Sequence, residues 1–242
     1  MLSRFFSWGI FGVALIAMAL FHFFRRQPSG YWIYLILFLG PLGAAIYLAI
    51  EALPELFDPG AFRFLERGRR LRQVQVELHQ NPSAGNYEEL GLLLLDKKDW
   101  AGARRCYDKA LAQRTDSLDP FYRRGLAEVE LGDFEAARSD LERVVLSDAG
   151  YDFQRAAGLL AYADWKTGNV ERAARLFENV LRTSTLTETQ LHYAEFLAGQ
   201  GLRDEARQQA LRIRGKRAGM PGFQRRRERK LFWQNSALLR KL

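Results

Sequence analysis

GLAEVELGDFEAARSDLERVV, residues 125–145, sets small residues at Gly125 and Ala137, an aromatic at Phe134, and apolar residues at Leu141 and Val144 around a Gly132-Asp133 break. The same series stands 34 residues earlier as Gly91, Trp100, Ala103, Tyr107 and Ala110. It returns after 36 residues as Ala161, Val170, Ala173, Phe177 and Val180, and after a further 33 as Ala194, Arg203, Ala206, Ala210 and Ile213. A recurring period of this length marks a stack of like units. Each unit reads as two helices, the first expected to end at Gly132, Gly168 or Gly201, a position that favours positive φ and hence glycine. The small residues let the two helices approach and the bulky ones fill the space between units. One pair cannot bury its apolar face alone, so the stack is the stable object.

Over residues 84–215 these positions resemble the tetratricopeptide repeat family. The resemblance implies an all-α solenoid of about four helix pairs that holds a protein or peptide in a groove lined by the first helix of each unit. The groove-facing positions are then Glu88, Leu92, Tyr122, Leu126, Arg155, Tyr162, Trp165 and Glu195. Aromatic and arginine side chains dominate binding hot spots, which singles out Tyr122, Tyr162 and Trp165. Where family members that clamp a chaperone's C-terminal carboxylate use Lys and Asn in the first unit, this chain has Glu88 and Leu92. A chaperone tail is therefore not the expected ligand.

Ahead of the repeats, residues 5–24 and 31–50 contain no Asp, Glu, Lys or Arg. About 20 apolar residues reach across a bilayer core of roughly 30 Å, so a two-helix transmembrane anchor is expected within 1–60, with helices over 5–24 and 31–53. Trp32, the Gly40-Pro41-Leu42-Gly43 break and Tyr47 resemble the N-terminal module of cardiolipin synthases and related phospholipase D-like proteins. None of His22, His79 and His192 is followed by the x-Lys that this family's chemistry requires, so the resemblance implies the anchor alone. Arg4, Arg63, Arg67, Arg69, Arg70 and Arg72 flank the run on one side against Arg25 and Arg26 on the other, which places both termini in the cytoplasm and the anchor in the inner membrane as a multi-pass segment.

Residues 61–83 read as a basic linker helix closed by Asn81-Pro82. From Lys216 onward nine Lys and Arg stand against Glu228, so the segment 216–242 carries the whole net charge of +8. At 100° per residue, Leu231, Phe232, Leu238, Leu239 and Leu242 share one sector. This basic amphipathic helix is expected to cap the stack, to lay Arg225, Arg226, Arg227, Arg229, Lys230 and Trp233 on an anionic membrane surface, or both.

No phosphate-binding glycine loop, zinc-binding His pair or Cys and His cluster is present, and the lone Cys106 falls on an inner helix face. No enzyme activity, cofactor or metal is expected. The combined expectation is a membrane-anchored adaptor mediating protein–protein interaction at the cytoplasmic face. The alternatives are a periplasmic assembly factor of the cytochrome c maturation type and a nucleic-acid tether using the basic tail, nucleic acid being the less expected partner.

Overall fold

A computed structural model describes residues 2–26, 30–52, 59–113 and 117–242, with side chains over 11–24, 30–51, 66–113 and 117–242. The chain divides into two compact units, Met1–Arg72 and Gln73–Leu242.

In the first unit α1 (Leu2–Arg26) packs against α2 (Tyr31–Leu39) and α3 (Pro41–Tyr47), with a π-helical turn at Leu48–Ala52. Ala19, Trp32, Ile36, Ala44 and Tyr47 are buried between them. Polar links cross this core: His22 Nδ1 lies 2.9 Å from the Tyr47 hydroxyl, and Trp32 Nε1 donates to Glu51 at 3.0 Å.

The second apolar run departs from the single helix expected over 31–53. Pro41 has no N–H for the ladder, and Gly40 turns with φ +56° and ψ −129°, so α2 ends after nine residues, about 13 Å long at 1.5 Å per residue. Among the described residues no helix is long and apolar enough to cross a membrane. The other expected span, 5–24, lies within α1, but the side chains of its residues 5–10 fall outside those described.

The helix α4 (Pro59–Gln80) precedes Asn81-Pro82. Eight helices follow in pairs: α5 (Ala84–Asp96) with α6 (Trp100–Leu111), α7 (Asp119–Leu131) with α8 (Phe134–Ser147), α9 (Tyr151–Lys166) with α10 (Val170–Leu181), and α11 (Thr187–Gly199) with α12 (Arg203–Lys216). Ser83 and Asp99 cap α5 and α6 by accepting from Asn86 N–H and Gly102 N–H. The first helices of neighbouring pairs touch one another directly, whereas within the four pairs the second helices pack on first helices. The layer formed by α5, α7, α9 and α11 is therefore the inner face of the stack.

The repeat positions do what their sizes dictate. A Cβ at Gly91 would sit 2.7 Å from the Tyr107 ring, so glycine is what lets α5 approach α6. Gly132 ends α7 with φ +81°, a conformation that costs glycine little. Ala103, Tyr107, Ala137, Leu141, Ala173, Phe177 and Ala206 are fully buried.

Two short segments close the chain, α13 (Gly222–Arg227) and α14 (Arg229–Lys241). Helix α14 covers the end of the stack: Phe232, Leu231 and Leu238 pack with Leu191 and Ile213, and Leu242 joins the cluster around Phe177 and Leu197. Asn235 Nδ2 donates to the Ala210 carbonyl at 2.9 Å.

Candidate functional site

The inner face opens into a cavity of about 320 Å3 between α5, α7 and α9. Leu95, Leu126, Tyr122 and Tyr151 form its walls, and Asp119, Arg123, Asp152 and Arg155 stand at its rim. The Tyr122 and Tyr151 rings are 5.1 Å apart. The Tyr151 hydroxyl donates to Asp119 at 2.9 Å, and Asp119 also pairs with Arg123. Arg155 grips Glu188 of α11 through both Nε (2.6 Å) and Nη2 (3.2 Å), the bidentate geometry that makes arginine–carboxylate pairs strong. Its Nη1 is 3.4 Å from the Tyr122 hydroxyl, which in turn donates to Asp152. Burial alone would raise the Glu188 carboxyl, but the Arg155 guanidinium outweighs it and holds the group below the usual carboxylate range.

This arrangement depends on an unusual stretch of backbone. Asp152, Phe153 and Gln154 all take positive φ, at 47°, 53° and 64°. Left-handed geometry costs a non-glycine residue about 1–2 kcal/mol because Cβ crowds the following carbonyl. Three in succession persist only where surrounding contacts hold them. Here those contacts are the Tyr122–Asp152 hydrogen bond and the Arg155–Asp152 pair at 3.8 Å. The run lies at the junction of units two and three, where the repeat spacing lengthens from 34 to 36 residues. The extra length delivers Tyr151 and Asp152 to the cavity and turns Phe153 outward, 84% exposed.

A second cluster occupies the inner face between α9 and α11. The His192 ring stacks on Tyr162 with centroids 3.9 Å apart, and Tyr162 meets Trp165 edge-on at 5.7 Å. The Lys166 ammonium sits 3.7 Å over the Trp165 ring. Trp165 also presses on Gly199, where a Cβ would be 2.7 Å from its Cζ2. His192 Nδ1 is buried with no hydrogen-bond partner, and burial pushes the imidazole down to about 4. Burial raises the Glu195 carboxyl, against the opposing pull of Lys166 and Lys241. Lys230, at the start of α14, reaches Glu130 on α7 at 3.5 Å.

The residues singled out from sequence thus fall into two groups on one face. Tyr122, Leu126 and Arg155 line the cavity, and Tyr162, Trp165 and Glu195 belong to the second cluster. Glu88 is half-buried on α5, its carboxyl raised by burial and by the neighbouring Asp119 charge, while Leu92 is exposed. Arg225, Arg226, Arg227, Arg229 and Trp233 are exposed on the terminal segments. Asp119, Arg123, Tyr151 and Asp152 were not anticipated, and the 36-residue spacing was the signal that could have pointed to the last two. His192 and Lys166 were also missed as members of the aromatic cluster.

Residues 88–152 and 122–186 match the tetratricopeptide repeat family model. The stack is a tetratricopeptide-type solenoid. Its likeness to solved tetratricopeptide structures is one of fold. MamA residues 41 to the end from Desulfovibrio magneticus RS-1 align with a TM-score of 0.57 and 17% identity over 70% of this chain and 97% of that one. YrrB, a tetratricopeptide protein with an unusual peptide-binding site, aligns with a TM-score of 0.54 and 20% identity over 62% and 78%. PilW, a type IV pilus biogenesis factor, aligns with 0.53 and 16% over 88% and 96%. Comparison with curated proteins returns no match.

Proposed function

We propose that the tetratricopeptide solenoid is a non-catalytic scaffold that holds a peptide segment of another protein along its inner face, and that the N-terminal unit anchors it in the inner membrane with the solenoid in the cytoplasm. The observation that carries the binding reading is the cavity at Tyr122, Tyr151 and Arg155, held by three consecutive left-handed residues. Strain of this kind collects where a protein positions groups for a ligand. YrrB offers a precedent of the same fold with a peptide-binding site.

The anchoring reading is supported by what the first unit leaves uncovered. Phe11, Phe21 and Phe24 of α1, and Tyr34, Leu37, Phe38 and Leu42 of α2 and α3, are each between 61% and 86% exposed. This much exposed apolar surface calls for a lipid or protein cover. The six-to-two Arg asymmetry about the apolar runs supports the cytoplasmic side. The exposed arginines of 225–229 with Trp233 would rest on the anionic leaflet, each basic residue near it contributing about 1 kcal/mol.

Two measurements test this. A phosphatase reporter that works only in the periplasm, fused after Leu242, should be inactive, and strong activity would refute the cytoplasmic placement. Co-purification from membranes should lose its partner on Leu92→Ala with Tyr151→Ala; because Tyr151 also packs against the core beside Tyr122, the loss counts only if the variant keeps its helical circular dichroism. Undiminished partner recovery would place the binding surface elsewhere.

A further inference from the structure

A larger cavity, of about 690 Å3, lies apart from the groove at the first unit of the solenoid, between the last turns of α4 and the helices α5 and α6. Its size falls within the range of small-ligand sites. Helix α5 turns Tyr87, Leu90 and Leu94 into it, whereas its Leu95 belongs to the groove. The cavity has its origin in the repeat. Farther along the stack α6 packs on α7 and α8 on α9, so that the second helix of one unit fills the side of the next. In chain order α4 takes that place before α5, but 34 residues ahead of Ala103, Tyr107 and Ala110 it carries Arg69, Gln73 and Val76. These do not reproduce the small and aromatic residues that close the contact elsewhere, and the space beside α5 stays open.

Its walls are apolar, made by Leu78 of α4, by the three α5 residues and by the Cys106 side chain of α6. Gln75 and His79 edge it on α4, where His79 Nδ1 lies 3.0 Å from the Gln75 carbonyl. The full charges all stand on α6, and they are not equivalent. Asp99 is already engaged as the cap of that helix, accepting from Gly102 N–H at 2.9 Å. Arg105 and Lys109 are exposed on the rim, and among the described residues neither meets a carboxylate; Lys109 only rests over the Tyr87 ring at 5.3 Å. Four residues apart, these two cations share one side of α6, where like charges repel. Asp99 lies ten residues from Lys109, about 15 Å away along the helix axis. The Cys106 thiol between them reports the balance: burial pushes it up, and of the charges it feels Lys109 and Arg105, which pull it down, come ahead of Asp99.

We infer that this cavity holds an amphiphilic anion, with an alkyl chain lying along Leu78, Leu90 and Leu94 and an anionic head between Arg105 and Lys109. The chain is held by the transfer of its apolar surface out of water, and the head by charge-assisted hydrogen bonds from the guanidinium and the ammonium, which also relieve the repulsion between the two. An extended peptide is a poorer fit, because it would bring an N–H and a C=O at every residue to leucine walls that offer them no partner. The site is separate from the inner groove, so this inference and the peptide-binding reading stand or fall independently.

The probe is a diazirine-bearing hexadecanoic acid, with the matching alcohol as its uncharged counterpart, photolysed with the full chain in phosphatidylcholine nanodiscs and mapped by peptide mass spectrometry. Within the solenoid, adducts of the acid should fall in residues 75–109 and exceed those of the alcohol there by about tenfold, the size expected for charge-assisted hydrogen bonds to the head. Arg105→Gln with Lys109→Gln, both at exposed positions, should abolish that preference and leave the alcohol adducts unchanged. Unlabelled palmitic acid or lysophosphatidic acid in excess should displace the probe, and the stronger competitor identifies the head as a carboxylate or a phosphate. Equal labelling by acid and alcohol, a preference that survives the double substitution, or no adducts within 75–109 would overturn the inference. Displacement by an acidic amphipathic peptide and by neither lipid would overturn it as well, and would make the occupant a protein segment.

Discussion

Glu128 stands inside the stack, 2% exposed, on the side of α7 that meets α6 of the preceding unit. Arg104 Nε approaches it at 3.3 Å, but Oε2 has no hydrogen-bond partner. Burial, and then the Asp140 charge, outweigh the arginines and push its carboxyl up to about 7 from 4.5. A raised folded-state value means that the folded protein holds a proton the unfolded chain releases. The stabilising contribution is therefore complete below about pH 4.5 and is lost as pH rises through about 7. At about 1.4 kcal/mol for each unit of pKa, the loss is on the order of 3 kcal/mol. Glu128→Gln keeps the shape of the protonated acid and cannot ionise. It should match the wild type near pH 4.5 and exceed it by on the order of 3 kcal/mol at pH 8. Urea unfolding followed by far-ultraviolet circular dichroism at pH 5, 6, 7 and 8 reads this difference directly. A variant less stable than wild type at pH 8, or offset by the same amount at every pH, would show that the Arg104 pair outweighs the burial cost and that the reasoning is wrong.

Other expectations follow from the same packing. His192, held down to about 4, has the opposite sign: its contribution is present above pH 6.5 and is lost as pH falls through 4, so His192→Gln should gain on wild type only in acid, measured by the same urea series. Gly91→Ala must move the Tyr107 ring and should cost about 1–3 kcal/mol in unfolding free energy. Arg155→Met would strand Glu188 beneath α9 and should cost roughly 3–5 kcal/mol, whereas the paired Arg155→Met, Glu188→Met replacement should recover most of that in a thermal melt.

The parts of the fold legible from sequence are those that repeat. Gly91, Gly125 and the alanines at matching positions announce the helix contacts because only a small side chain fits there, and four successive units make the pattern hard to produce by chance. The break at Gly40-Pro41 was visible but misjudged. Apolar content measures the solvent a segment prefers and says nothing of whether its hydrogen-bond ladder is continuous, so a 20-residue apolar run read as one helix where Pro41 makes two. The stripe of Leu231, Phe232, Leu238 and Leu242 was legible as a buried face, though the surface it covers, Leu191 and Ile213 among others, is a tertiary fact. At the candidate site, Tyr122 and Arg155 were reachable by repeat position. Tyr151 and Asp152 were not, because they enter the groove through a departure from the repeat, and the left-handed run is held in part by Tyr122, 30 residues away.

The central claim is that the inner layer of the solenoid, and not its outer surface, holds the partner. A photo-crosslinking amino acid placed at Leu92 on α5, and separately at the exposed Arg175 on α10, in the full chain in native membranes, tests it most directly. The account expects a discrete adduct from position 92 and none from position 175. Adducts from position 175 alone, or equally from both positions, would contradict it.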